Sequence, residues 1–138
     1  MRRLTTIILI ATAFATGCAS GGHSSQNNAA DGNTLSNGNT LTYDTTVQGK
    51  KYSVVAQPLD TTDGYSYTIS VNGRKFIHQT IIPVVEGFHH FATAEDALNT
   101  GKVVVFKMMK TSDLPALTTQ DLIMLGILTQ DGNIKDNK

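Results

Sequence analysis

The chain has 138 residues with eleven basic and eleven acidic side chains, four histidines, one cysteine and no tryptophan. That length supports one small domain with a modest core. Balanced charge is not the electrostatic footprint of a nucleic-acid binder, which needs clustered Lys and Arg, and a lone cysteine excludes an internal disulfide.

The first residues, MRRLTTIILIATAFATGC, read as a processing signal. Arg2 and Arg3 form a positive n-region and Leu4 to Phe14 a short apolar run, too brief to span a bilayer as a mature helix. Ala15-Thr16-Gly17 leads directly into Cys18. This arrangement resembles a bacterial lipobox, with Ala15 where leucine is more usual. The resemblance implies a signal peptide over residues 1–17, cleavage before Cys18, diacylglycerol on its sulfur and an acylated (palmitate-type) amine. Several acyl chains, each buried CH₂ contributing about 0.8 kcal/mol, anchor a small protein durably in a membrane. Lipidation would also consume the only thiol. Ala19 is not aspartate, which by the sorting rule of enteric bacteria favours the outer membrane over the inner within the cell envelope. Cleavage also removes Arg2 and Arg3, leaving nine basic against eleven acidic residues.

The next segment, ASGGHSSQNNAADGNTLSNGNT, is rich in Gly, Ser, Asn and Thr. It carries too little apolar surface to offset its ordering entropy, so residues 18–40 are expected to form a disordered tether with His23 solvated in it. The folded domain is expected over residues 41–128, followed by a frayed polar tail over 129–138.

YSVVAQPL, Tyr52 to Leu59, reads as a strand ending at Pro58. YSYTISV, Tyr65 to Val71, alternates fully, with Tyr65, Tyr67, Ile69 and Val71 on one face. Asn72-Gly73 follows, the favoured two-residue type I′ turn. A regular hairpin on that turn sets Val71 against Arg74, Ile69 against Phe76 and Tyr67 against His78. On that register His78 faces inward, while Ile77 and Gln79 face outward. Val55 and Ile77 would then form a small outward apolar patch. Ile81-Ile82-Pro83-Val84-Val85 is expected to be extended, as a last edge strand.

Phe88-His89-His90-Phe91 leads into a helix capped by Thr93, with Glu95 and Asp96 in its first turn. Ala94, Ala97, Leu98, Gly101, Val104, Val105 and Met108 make an apolar stripe, and Gly101 on it implies close approach to the sheet. The helix should stop near Thr111. A short helix from Thr118 or Thr119 to Leu125 should end at Gly126, with Ile127 packing back on Leu122. Met108, Met109 and Met124 are expected in or beside the core. The sum is an α+β domain: three to four antiparallel strands, one long helix on one face and a short C-terminal helix.

GYSYTISVNGRKFIHQTIIPVVEGFHHF, then TAEDA opening a helix, then LTTQDLIMLGIL, together resemble an uncharacterised family of small bacterial envelope proteins, the domain of unknown function 4907. The resemblance covers Gly64 to Leu128 and imports no activity. A looser likeness, three strands followed by F-x-T-x-E-x-A and a helix, links the chain to plant-type DNA-binding domains. The outward Ser66, Thr68, Ser70, Lys75 and Gln79 include one basic residue, and the export signal opposes that reading. No nucleic-acid partner is expected.

Three functional readings remain. His78 with His89 or His90, joined by Glu86, could bind zinc or copper, since imidazoles suit those ions. Packing is the commoner role for such histidines, and no cofactor is expected. Asp60, Asp63 and Glu86 sit in turns, where such residues serve backbone geometry, and no nucleophile elbow or phosphate loop is present, so the chain is not expected to be an enzyme. A non-catalytic binding or structural module fits best. Its partner would be an envelope protein or a second copy, engaged through Ile77, Gln79, Ile81, Ile82 and Phe88 beside the expected strand edge.

Overall fold

The computed structural model describes the backbone of residues 32–36 together with residues 39–111 and 114–136. The expectations for the signal sequence, Cys18 and His23 fall outside the described residues. Five strands, β1 (Gly32–Ser36), β2 (Thr40–Val47), β3 (Lys50–Pro58), β4 (Tyr65–Val71) and β5 (Arg74–Gln79), precede α1 (Ala94–Lys110) and α2 (Thr119–Met124). The strands form one antiparallel meander in sequence order, and α1 packs across β2, β3 and β4. The α+β class is as expected. The sheet is larger than the three to four strands expected, because β2 extends it and β1 lies within the segment assigned to the tether.

Strand alternation sets the core. Tyr52, Val54 and Ala56 of β3 and Tyr67 and Ile69 of β4 are buried beneath α1. Two turns of the same kind close the sheet at one end. Gln48 and Gly49 (φ 50° and 76°) join β2 to β3, and Asn72 and Gly73 (φ 50° and 78°) join β4 to β5. Positive φ at both central residues is the type I′ signature, whose twist matches the flanking strands. The Asn72 side chain adds a bond across the sheet, its Oδ1 accepting from the Lys51 amide at 2.9 Å.

Thr93 caps α1, its hydroxyl accepting from the Asp96 amide at 3.1 Å. The stripe is buried as expected except for Met108, which is half-buried at the core edge. Buried Thr100 joins the stripe by donating its hydroxyl to the Asp96 carbonyl at 2.7 Å. At Gly101 a methyl group would collide with Val54 Cγ1 and press on the Tyr67 ring. Helix and sheet therefore meet closely where the one stripe residue without a side chain stands.

Thr118 and Asp121 form a reciprocal capping box at the start of α2. At its end, the Gly126 amide donates to Ile123 (2.9 Å) and the Ile127 amide to Leu122 (3.0 Å), the paired bonds of a Schellman motif. Met124 is 77% exposed, not at the core, because it lies on the face of α2 opposite fully buried Leu122. The tail is not frayed over its described part. Leu128 bridges to Ile134, and Thr129 accepts a bond at its carbonyl from the Gly132 amide (2.9 Å) and donates its own amide to the Asn133 carbonyl (2.8 Å).

Candidate functional site

The sequence placed His78 inward, and the structure corrects this. Val71 pairs with Arg74 and Ser70 with Lys75, but Ile69 then pairs with Ile77 and Thr68 with His78. Phe76 is the extra residue of a β-bulge. Because side chains alternate, one inserted residue exchanges the faces of everything beyond it. Ile77 is half-buried against the core, while His78 stands on the opposite face beside Thr68, whose Oγ1 lies 2.9 Å from its Nδ1. The outward patch of Val55 with Ile77 does not form. The bulge also leaves Phe76 53% exposed. A bulged edge strand carrying Arg74 and Lys75 is poorly suited to pairing with another strand.

The expected edge strand at Ile81–Val85 is instead a compact loop from Thr80 to His90. Ile82 is buried and donates its amide to the His89 carbonyl at 2.7 Å, which closes the loop on itself. His90 Nδ1 lies 2.6 Å from the Thr80 carbonyl and so donates to it. Gly64, at φ +126°, leaves room for the loop, since a methyl group there would meet His90 Cβ at 2.6 Å. Beyond the loop the Tyr65 amide donates to the Phe91 carbonyl at 2.9 Å, and the Phe91 ring is buried 5.8 Å from that of Tyr67.

Closure leaves the outer side of the loop exposed. Phe88 is 88% exposed, with His89 exposed beside it, whereas Phe91 at the end of the loop is fully buried. Val84 adopts φ +61° and is also exposed. A β-branched residue in the left-handed region costs on the order of 1–3 kcal/mol, and such strain concentrates at functional loops. Of the five residues expected to contact a partner, Phe88 stands free. Ile77 and Ile82 point into the protein, Ile81 and Gln79 are half-buried, and Gln79 Nε2 donates to the Ile81 carbonyl at 3.0 Å.

The histidines are distributed differently from the expected metal set. His78 lies on the sheet face, His90 turns inward to Thr80, and His89 lies over Gly87. Among the described residues no three His, Cys, Asp or Glu side chains converge on a point.

A second region was not legible in the sequence. At the end of the sheet that carries the Gln48–Gly49 and Asn72–Gly73 turns, an open cleft of about 470 Å³ lies between the strand tips and the C-terminal turn of α1. Its apolar wall is formed by Val47, Val71, Phe76, Met108, Met109 and Leu114, and Lys50 and Lys110 stand at its margin. Nothing in the linear pattern joins residues 47–52, 71–76 and 108–114. Only the meander and the helix crossing bring them together.

Fold and site thus define a small α+β domain with a closed, strained loop at one end and a basic, apolar-walled cleft at the other. Residues 57–123, from the end of β3 nearly to the end of α2, match a family model described as Domain of unknown function (DUF4907). No curated protein and no solved structure matches the chain. Among the described residues no helix is long and apolar enough to cross a membrane.

Proposed function

We propose that the chain is a lipid-anchored protein of the cell envelope, held through Cys18 and favouring the outer membrane, whose domain binds a protein partner and does not catalyse a reaction. The loop from Thr80 to His90 is the contact, with Phe88 as its anchor. The observation that carries the reading is the fully presented Phe88 ring on a loop that is closed by its own hydrogen bonds and strained at Val84. Aromatic side chains, phenylalanine among them, are enriched at interfaces relative to the rest of a protein surface. The signal-like start and Cys18 supply the anchor.

Two experiments test the two halves. Intact mass of the purified protein should show a diacylglyceryl and acyl adduct at Cys18, and Cys18→Ala should release the protein from membranes into a wash of about 1 M salt that leaves the parent bound. An unmodified Cys18 would overturn the anchor. A photo-crosslinking residue at position 88 should trap one discrete envelope protein, or a second copy, while the same group at His78 should not. Equal, diffuse labelling from both positions would overturn the loop as a binding site. Val84→Gly, which relieves the backbone, should stabilise the fold by about 1 kcal/mol and weaken the crosslink.

A further inference from the structure

The near-neutral charge of the whole chain conceals a strong separation. Antiparallel pairing puts the two type I′ turns at the same end, so Lys50 and Lys51 beside one turn and Arg74 and Lys75 beside the other share it. The last turn of α1 adds Lys107 and Lys110, with Lys110 and Lys50 on the cleft itself. Among the described residues no acid lines this cleft, and Asp121 is engaged by Lys107 at 2.6 Å. Acids gather at the opposite end: Asp60 and Asp63 in the β3–β4 connection, and Glu95 and Asp96 in the first turn of α1. The basic end also presents Phe76, 53% exposed, and Leu114, 74% exposed.

We propose that this basic end docks on an anionic lipid surface, with Lys50, Lys51, Arg74, Lys75 and Lys110 facing headgroup phosphates and Phe76 and Leu114 entering the interface. Clustered basic residues close to exposed apolar side chains are the combination that peripheral membrane surfaces use. Chain geometry gives the same orientation. Gly32, the first residue of β1, pairs with Asp44, three positions from the end of β2 at this tip. The thirteen residues between Cys18 and Gly32 therefore enter the domain towards its basic end, and fully extended they reach at most about 45 Å. That second argument rests on lipidation at Cys18, whereas the surface itself does not. A domain so held turns the Phe88 loop away from the membrane.

The test uses the unlipidated chain beginning at Ala19, which keeps the sheet, both helices and the whole described core. It is mixed with phosphatidylcholine vesicles with and without phosphatidylglycerol, and bound protein is measured by flotation. Binding is expected only with the anionic lipid and should fall steeply with salt, as the screening length shrinks from about 10 Å at 0.1 M to about 3 Å at 1 M. Replacing Lys50, Lys51, Arg74 and Lys75 together by Gln should lower partitioning by about 600-fold, near fivefold for each basic residue. Asp60→Asn with Asp63→Asn should not weaken it, and circular dichroism checks that each variant is folded. Phe76→Ser with Leu114→Ser should weaken binding while keeping its dependence on anionic lipid. Equal binding to both vesicle types would overturn the proposal. So would no binding to either, or retention on polyglutamate without vesicle binding, which would assign the surface to an acidic protein. Because Cys18 is absent, failure here leaves the anchor untouched, and an unmodified Cys18 would leave this result standing.

Discussion

Thr68 Oγ1 and His78 Nδ1 lie 2.9 Å apart on the face of the sheet away from α1, partnered across a register that a two-residue turn alone would not produce. The pairing exists because Phe76 is bulged out of the ladder. Thr68→Val should change the tautomer and ring orientation of His78 in NMR spectra. Because the site is exposed, stability should change by less than about 1 kcal/mol. Removing Phe76 should restore a regular ladder with His78 still opposite Thr68. An inward shift of His78 in that variant would contradict the register.

Gly101 should tolerate no side chain. Alanine normally favours a helix interior by about 1 kcal/mol over glycine, but here its methyl group meets Val54 and Tyr67. Overpacking of this kind costs about 1–3 kcal/mol, so Gly101→Ala should be net destabilising and Gly101→Val more so. Urea unfolding measures both, and a stabilised Gly101→Ala would refute the close approach.

Burial pushes the Tyr67 hydroxyl up to about 12 from its ordinary 10.0. Since the folded value is the higher, its contribution is fully present below pH 10.0 and is lost as pH rises through about 12. A shift of that size corresponds to roughly 2–3 kcal/mol. Tyr67→Phe should therefore lose less stability than the parent over that alkaline window, as read by chemical unfolding at each pH.

Asp121 couples three parts of the chain. Its Oδ2 accepts from Lys107 Nζ at 2.6 Å and from both the amide and the hydroxyl of Thr118, each at 2.7 Å. Partial burial raises its pKa, but bonds from Lys107 and Thr118 outweigh that and hold the carboxyl below the usual carboxylate range. The stabilisation is present above the ordinary carboxylate pKa and fades as pH falls through the lowered folded value. Asp121→Asn should cost about 1–2 kcal/mol at neutral pH, the size of a lost cap and partner. It should also flatten the acid limb of a thermal-melt series.

Most of the architecture was readable where a local signal had a local cause. Thr93, Asn72-Gly73, Gly126 and the stripe of α1 each act within a few residues, and each stands where the sequence placed it. The Gln48–Gly49 hairpin was missed although Gly49 carried a turn signal, because TLTYDTTV alternates weakly in polarity. The bulge at Phe76 had no local mark. It reflects packing at an edge strand, where α1 lies over β2–β4 and half-buried Ile77 faces Ile69 in the place the simple hairpin gave to Phe76. Ile81–Val85 looked extended from its β-branched residues, but the tertiary bond from Ile82 to His89 overrides that preference. The candidate site was correspondingly half visible: Phe88 could be named, and the basic cleft could not.

Leu122, Ile127 and Leu128 are core residues supplied by α2 and the turn after it. A polypeptide emerging N-terminus first presents its meander and long helix before this last wall is made. Until Leu122 follows, part of the apolar interior has no cover, and folding cannot finish during synthesis of the earlier segments. Late closure of this kind leaves the growing chain open along one side until its final turn has been built.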